Sequence, residues 1–530
     1  MAALRPSHAH SVFSATLLLM VSTFLSSIFG LLRNMYIAWI FGRGMEADAF
    51  LAAFQLPDMI SYFLIGGAAS ITFVTILTKY RDAGREAEGE RSLSVILTTM
   101  FVVLGSAIVL AEIFAPWYVR WSFHGFDANK AALCVRLTRI LLPAQLCFFA
   151  GGVFGAVLLV RKQFNVQAVT PLIYNLGTIV GGLLLVKTLG ISSLAIGTVA
   201  GALVGPFLLN AIFARRAGVH YRPILDWHDE GLHEWVRLSL PLIVGVSLVT
   251  ADAWIMNYFA SNNSGAISLM TYAKRLFVAP MSVLAQAAGA ASLPFFASLW
   301  AKEHRYEFAV KVADSVSRVV CLGLLVGSVM VALGRPAINL LFIGGRFSSL
   351  DASECAGYFA VFSLSVCLWS AQAIYSRAFY AAGNTFTPMA AGTIVTLIAL
   401  PIYSGLYHAF GALGLAIASD LGIALHTVTL ALLLHRRRMV SLASLDLAEM
   451  GRCVGAALGA GGAAAGGVFA SEWILRRPSL AAHLAMHSRW MSLSLLALGA
   501  LLWFVVAYVL LERTGSALPR MARKRLGLAA

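Results

Sequence analysis

Residues 30–70 read GLLRNMYIAWIFGRGMEADAFLAAFQLPDMISYFLIGGAAS, a stretch that is apolar enough to lie in a bilayer yet contains several charges. Its charged side chains are Arg33, Arg43, Glu46, Asp48 and Asp58. A charge at membrane depth costs about 3 kcal/mol or more, so it normally faces a partner or a water-filled cavity. Pro57 lies inside the second apolar segment, where a broken helix is tolerated only if neighbouring groups satisfy its backbone. The stretch predicts two membrane spans that face a polar interior, an arrangement typical of a transporter.

The whole chain has the composition of a membrane protein. Of its 530 residues, 59% are hydrophobic and 12% are charged, and the mean hydropathy is +0.82. A soluble protein of this length would need more polar surface, so the composition predicts an all-α protein that crosses the membrane many times. The net charge of +15 comes from short basic clusters between apolar runs. That pattern follows the positive-inside rule and does not indicate nucleic-acid binding.

The sequence contains no pattern that indicates a metal or a cofactor. The six cysteines lie mostly in apolar runs without a CxxC pair, so we expect small core residues and not disulfides or metal ligands. A GxxxxGK[ST] loop is also absent from the sequence, which argues against ATP chemistry. We expect no bound metal, no cofactor and no enzymatic activity.

About fourteen apolar segments are long enough to cross a bilayer. They lie within residues 14–40, 48–77, 92–115, 133–160, 168–188, 191–213, 236–259, 268–299, 313–333, 356–380, 386–404, 409–434, 452–472 and 490–511. An even number of spans places both termini on one side of the membrane. The loops on that side contain most of the lysines and arginines, so we predict that both termini are cytoplasmic.

The two halves of the chain contain similar motifs in the same order. GGAASITF at residues 66–73 resembles AGAASLPF at residues 288–295, and FGAVLLVRKQFNVQAVTP at 154–171 resembles IYSRAFYAAGNTFTP at 374–388. With an even number of spans between equivalents, the repeats are parallel, which predicts two six-helix bundles related by a pseudo-two-fold axis along the membrane normal. We place the bundles at residues 1–215 and 216–440, and two extra helices with a basic tail at 441–530. A duplication without a central cavity is the alternative.

Charged residues inside the spans of the first half are candidates for a central site. Arg33 lies too deep to reach the surface easily, although snorkelling is an alternative. Asp48 and Glu46 fall in the first turn of the second span, where a carboxylate also stabilises the helix dipole. Asp58 follows Pro57 and could instead cap amides freed at a kink.

The second half contributes Asp252, Lys274 and Arg275. Lys274 and Arg275 are adjacent on a helix and therefore point about 100° apart. We assign Arg275 to the cavity and Lys274 to an interface. Two arginines from opposite halves suggest an anionic, phosphorylated substrate, because one guanidinium group can donate two parallel hydrogen bonds to two phosphate oxygens. Arg136, Arg139 and Arg377 are expected near the membrane surfaces.

These motifs resemble those of the MurJ/MviN flippases within the multidrug/oligosaccharidyl-lipid/polysaccharide exporter superfamily. The resemblance rests on residues 30–57, on YAKRL at 272–276 with SLPFFASL at 292–299, and on RAFYAAGNTFTP at 377–388. It implies a flippase for lipid II, the undecaprenyl-diphosphate-linked peptidoglycan precursor, in the bacterial cytoplasmic membrane. It also implies alternating access driven by membrane potential or a monovalent cation gradient, in a monomer whose last two spans form a groove for the lipid tail.

By position, Arg33 and Arg275 match the family's cavity arginines, and Asp48 matches its aspartate in span two. The chain departs from the family in the same span. LPDMISYFLIGGAAS replaces a pattern with two adjacent arginines and a glutamate, and Ser61, Tyr62 and Gly66 stand at those positions. The weaker positive charge keeps open a flippase for another polyprenyl-linked oligosaccharide. A cation-coupled drug exporter of the same superfamily is a second alternative, and Arg33 and Arg275 argue against it because it would prefer acidic cavity residues. A membrane glycosyltransferase that uses the acids near residue 46 is a third, disfavoured by the lack of a DxD pair.

Overall fold

The computed structural model of the protein is all-helical. It describes residues 12–65, 73, 76–77, 79–81, 83–161, 163–244, 248–289, 292–475 and 489–525. Within these ranges the only β-type pairing is a single bridge between Gly344 and Phe347. The prediction of an all-α membrane protein is confirmed.

The chain forms two compact units, Met1–Gly245 with Ser261–Ser268, and Val246–Ala260 with Leu269–Ala530. The first, unit 1, contains α1 (Val12–Phe41), α2 (Met45–Ala53), α3 (Gln55–Ile60), α4 (Glu86–Ser122), α5 (Ala128–Leu141), α6 (Ala144–Val160), α7 (Phe164–Leu189), α8 (Ser192–Ala202), α9 (Asn210–Arg216) and α10 (Glu230–Val244). Two short π-helical segments, Ser61–Ile65 and Leu203–Leu209, follow α3 and α8.

Unit 2 is the other compact unit, and its helices follow α10 in the chain. They are α11 (Leu248–Ala260), α12 (Ala266–Gly289), α13 (Ser292–Ala301), α14 (Arg305–Phe342), α15 (Ser349–Leu364), α16 (Val366–Ala381), α17 (Phe386–Arg436), α18 (Leu447–Leu475), α19 (Arg489–Arg513) and α20 (Ala517–Arg525). The segment Ser261–Ser268, which includes the first residues of α12, belongs to unit 1 by its contacts.

The apolar helices coincide with the predicted spans. In the described part of the chain, nine helical stretches are long and apolar enough to cross a bilayer, or ten if α15 and α16 form one span bent by 41°. The 51 residues of α17 would extend about 76 Å if straight, far more than a bilayer core requires. Gly411 interrupts it with non-helical angles (φ 59°, ψ −140°), so α17 covers the predicted spans at 386–404 and 409–434. The total of fourteen stays a prediction.

The second predicted span, at residues 48–77, is more broken than the sequence suggests. It begins as α2, restarts as α3 around Pro57 and continues as the π-helical segment Ser61–Ile65. The rest of this span lies largely outside the described residues, as does much of the repeat at 66–73 and 288–295. The two-fold relation and the boundaries at residues 215 and 440 therefore stay predictions.

Unit 1 is held together by an aromatic core and by a close helix contact. Phe73 packs against Phe149 and Trp235, whose ring centroid lies 5.6 Å away. Helices α7 and α8 approach so closely that a Cβ built on Gly181 would lie 2.5 Å from the Cα of Gly197. Small residues permit this approach, which is a common way to pack helices in a bilayer.

Unit 2 is organised around α14, the long helix against which several others pack. One core cluster contains Phe296, Phe308 and Phe379. The C-terminal helices α18 and α19 also pack on α14, where the indole Nε1 of Trp503 donates to Ser328 Oγ at 2.9 Å. All six cysteines are free thiols and four of them are buried.

Candidate functional site

Asp48 is the central polar residue of unit 1. It lies in the first turn of α2 and its side chain is fully buried. Lys130 Nζ on α5 lies 2.6 Å from its Oδ2. The backbone N–H groups of Gly265 and Ser268 donate to Oδ2 and Oδ1 at 2.8 and 2.9 Å. One ammonium and two amides therefore compensate the buried carboxylate.

Local sequence explains why these groups meet. Asp127 caps α5 by accepting from the Lys130 N–H at 2.8 Å, which puts Lys130 in the first turn, and the Phe126 ring centroid lies 4.3 Å from its ammonium. On the other side of Asp48, Gly265 (φ 80°) immediately precedes α12. The unpaired amides at the start of a helix favour a nearby anion, and Asp48 supplies it.

Arg33 and Asp58 are two further charged residues of unit 1, and no ion pair joins them in the described part of the chain. Arg33 lies on α1, is partly exposed, and its Nε atom is buried without a hydrogen-bond partner among the described residues. Asp58 on α3 is exposed, and the two charges are close enough to interact. No hydrogen bond within the described ranges reaches the Asp58 carboxylate. Ser61 and Tyr62 follow in the π-helical segment, both partly exposed.

A separate polar cluster lies inside unit 2. Lys274 on α12 forms an ion pair with Asp252 on α11, and Tyr403 Oη on α17 donates to the other oxygen of the same carboxylate. The Lys274 ammonium also lies 3.4 Å from Met256 Sδ and 5.6 Å from the centroid of the Phe362 ring. Asp252 is buried, so its charge is compensated by a cation and a hydroxyl.

Asp420 on α17 adds a second carboxylate to this cluster. It lies within electrostatic range of both Asp252 and Lys274. Its Oδ1 atom is buried and has no partner among the described residues. The cluster therefore combines two carboxyl groups with one ammonium, a formal charge of −1 when both carboxyl groups are ionised.

The comparison with known proteins assigns the chain to a family. The family model described as "Lipid II flippase MurJ" matches residues 37–477. The chain belongs to the MurJ family. A probable lipid II flippase MurJ of Vibrio cholerae is 28% identical over 425 residues, which cover 78% of this chain and 81% of that protein. The corresponding protein of Thermotoga maritima is 26% identical, with 77% and 83% covered.

Solved structures agree on the fold. A lipid II flippase MurJ in an inward closed conformation has a TM-score of 0.75 at 19% identity, and 94% of this chain and 99% of that chain are covered. An inward-facing multidrug resistance transporter, described as a MATE family member of the MOP superfamily, has a TM-score of 0.66 at 15% identity, with 80% of this chain and 98% of that chain covered. The family resemblance drawn from the sequence is confirmed, and the chain is a multi-pass membrane protein.

The structure places the predicted residues of this MurJ-family chain in both units. Arg33, Glu46, Asp48 and Asp58 with Ser61 and Tyr62 belong to unit 1, whereas Asp252, Lys274 and Arg275 belong to unit 2. Arg275 is partly exposed beside Lys274 on α12. Glu46 is partly buried, in the same helical turn as Asp48. The convergence of Arg33 and Arg275 on one cavity stays a prediction.

Two assignments gain structural detail that the sequence did not provide. Asp48 uses both oxygens within unit 1, and Lys274 faces Asp252 inside unit 2. Sequence reasoning missed Lys130 and Tyr403, because one looked like a loop cation and the other like an aromatic in an apolar run. Among the described residues, no group of three or more His, Cys, Asp or Glu side chains could hold a metal ion.

Proposed function

We propose that the protein is a flippase that moves lipid II from the inner to the outer leaflet of the bacterial cytoplasmic membrane by alternating access. The observation that carries the proposal is the family match over residues 37–477, supported by relatives named probable lipid II flippase MurJ. Under this proposal the chain transports its substrate without catalysing a reaction. It works as a monomer with both termini in the cytoplasm.

The charge pattern favours an anionic substrate. Asp48 and Asp252 are each paired with a lysine of their own unit, so neither offers an unpaired negative charge to a substrate. Arg33 and Arg275 then supply guanidinium groups, which suit the oxygens of a diphosphate. In place of Arg33 and Arg275, a drug exporter for cations would need acidic residues whose charge no lysine or arginine compensates.

We further propose that a monovalent cation couples to transport at the Asp252–Asp420 cluster. Two carboxylates share one ammonium there, and Asp420 Oδ1 has no partner in the described part of the chain. A cation would compensate the remaining negative charge. Transport by the protein in proteoliposomes should respond to an imposed sodium or proton gradient, and Asp420→Asn should abolish that response. An undiminished response in the variant would contradict the assignment.

The experiment that tests the function is complementation of a bacterial strain depleted of its own lipid II flippase, with membrane insertion measured in parallel. Growth of the depleted strain is the expected result. Failure despite normal insertion would contradict the lipid II assignment. It would favour another polyprenyl-linked oligosaccharide, the substrate class left open by Ser61 and Tyr62.

Substitutions in the same assay test the cavity residues. Arg33→Ala and Arg275→Ala should each abolish rescue, because the loss of one charge-assisted contact weakens binding by about 1–3 kcal/mol, roughly 5- to 160-fold. Arg33→Lys should retain partial activity, since lysine keeps the positive charge but cannot donate two parallel hydrogen bonds to two phosphate oxygens. Arg489→Ala, an exposed arginine at the start of α19, is the control. Equal growth for all variants would refute the role of Arg33 and Arg275.

A further inference from the structure

A groove in unit 1 lies apart from the residues assigned to transport. It is formed by the end of α4 and the exposed face of α5, and its volume is about 830 Å³. Three arginines line it, Arg120 on α4 with Arg136 and Arg139 on α5. The small side chains of Ala128, Ala131 and Ala132, also in the lining, leave the space between them open.

Helix α5 has one buried face and one exposed face. Lys130, Cys134 and Thr138 are buried and lie on the side of Asp48, whereas Arg136 and Arg139 are exposed. This spacing of three and four residues gives a helix two distinct faces. The arginines of the groove are therefore not needed to bury α5.

These arginines retain most of their hydrogen-bonding capacity. Within the described ranges none of the three forms an ion pair, and the one hydrogen bond is from Arg139 Nε to the Glu112 carbonyl oxygen at 3.0 Å. A guanidinium has five N–H donors. The Glu112 side chain also lines the groove, so the formal charge of the lining is positive, three arginines against one carboxylate.

The surface of α4 beside the groove is suited to lipid. Phe114, Trp117 and Trp121 are 58%, 67% and 60% exposed, and the two indole rings stack with centroids 6.4 Å apart. Exposed tryptophans are typical of the membrane–water interface. The groove thus has cationic donors next to an apolar, aromatic surface.

The position of the three arginines is unexpected for a topological signal. Arg120 lies at the end of α4 opposite the basic loop at residues 79–91, which is the outer end in the proposed orientation. Arg136 and Arg139 lie on α5 further from that end, and Arg139 is level with Glu112. The positive-inside rule predicts few basic residues at the outer end. Membrane topology therefore does not explain why three arginines from two helices line one groove, whereas a local anionic ligand would explain it.

We propose that this groove binds the phosphate of an anionic glycerophospholipid, with the acyl chains along the aromatic surface of α4. The phosphate oxygens accept hydrogen bonds from Arg120, Arg136 and Arg139. A single guanidinium group can donate two parallel hydrogen bonds to two of these oxygens. The lipid is distinct from the transported substrate. The site does not depend on the proposed transport activity, and only its leaflet depends on the proposed orientation.

Native mass spectrometry of the purified full-length protein with added phosphatidylglycerol tests the site. We expect a tightly bound phosphatidylglycerol whose affinity falls at least about tenfold in the variant Arg120→Gln/Arg136→Gln/Arg139→Gln. The matched control is Arg436→Gln/Arg437→Gln/Arg438→Gln, three exposed arginines at and just after the end of α17, and it should leave the affinity unchanged. Equal binding by all proteins, or equal losses in both variants, would overturn the proposal.

Fluorescence provides a second readout that does not depend on counting adducts. Phosphatidylglycerol with brominated acyl chains should quench the tryptophan emission of the native protein, and Trp117→Phe/Trp121→Phe should lose the part of that quenching that these two of the eleven tryptophans contribute. Glycerol phosphate at equal concentration should not displace the lipid. Full displacement by glycerol phosphate, or unchanged quenching in the tryptophan variant, would refute a lipid site on this surface.

Discussion

At the scale of single residues, the buried pair of Asp48 and Lys130 is the contact whose loss should cost most. Asp48→Asn leaves the Lys130 ammonium buried without a counter-ion, which destabilises a folded protein by about 3 kcal/mol or more. We expect a clear fall in the midpoint of thermal unfolding of the purified protein. The reciprocal change Lys130→Met should lower the free energy of unfolding by a similar amount, because it removes the counter-ion of the buried Asp48 carboxylate.

The double variant separates the ion pair from its surroundings. Asp48→Asn/Lys130→Met removes both charges. The decrease in its thermal midpoint should therefore be much smaller than the sum of the decreases in the two single variants. Lys187→Met, an exposed lysine in the last turn of α7, should change stability by less than about 0.5 kcal/mol. Strictly additive losses in the double variant would show that the pair contributes no coupling energy.

Sequence reasoning reached one member of each buried pair more easily than the other. Asp48 and Asp252 were identifiable because an acid in an apolar segment is rare. Lys130 lies 82 residues from Asp48, and no local spacing shows which loop cation turns inward. Tyr403 likewise looks like an ordinary aromatic of a membrane span until α17 is packed against α11.

At the scale of elements, the break in α17 rests on the backbone of Gly411. Its angles (φ 59°, ψ −140°) fall in a region that is essentially restricted to glycine, although a Cβ there would meet no atom within 4 Å. Gly411→Ala should therefore destabilise the protein through backbone strain of about 1–3 kcal/mol and not through a clash. The measurement is the thermal midpoint.

Gly405 in the same helix is the matched control. A Cβ at this position also meets no atom within 4 Å, but its backbone is helical, so Gly405→Ala should be neutral or slightly stabilising. A loss for Gly405→Ala as large as that for Gly411→Ala would mean that the effect does not come from the break.

Helix existence was more predictable than helix continuity. Apolar segments of spanning length correspond to helices throughout the described part of the chain, because a bilayer requires internally satisfied backbones. The breaks in α2–α3 and between α15 and α16 were harder to see. Pro57 marks the first, whereas the bend between α15 and α16 occurs at Ser365. Serine is also common where membrane helices pack together, so it does not mark a break in the sequence.

At the scale of the whole molecule, the repeat in the sequence and the family match point to the same architecture. Sequence similarity between residues 154–171 and 374–388 predicts equivalent positions in two bundles, but it cannot determine how far apart the bundles stand. An alternating-access transporter must adopt more than one such arrangement, with energies close enough for both to be populated. The sequence therefore predicts that two bundles exist, but it does not predict the distance between them.

Membrane topology is the global property that charge distribution predicts most sharply. With cytoplasmic termini and fourteen spans, Asp226 between α9 and α10 lies inside, and Gly345 between α14 and α15 lies outside. Green fluorescent protein fused after Asp226 or Arg525 should fluoresce, because it folds in the cytoplasm, whereas alkaline phosphatase should be active only after Gly345. Each reporter placed at all three positions gives reciprocal controls. Active alkaline phosphatase after Asp226, or fluorescence after Gly345, would reverse the orientation. A different side for Arg525 than for Asp226 would mean that an odd number of spans separates them, and the count of fourteen would be wrong.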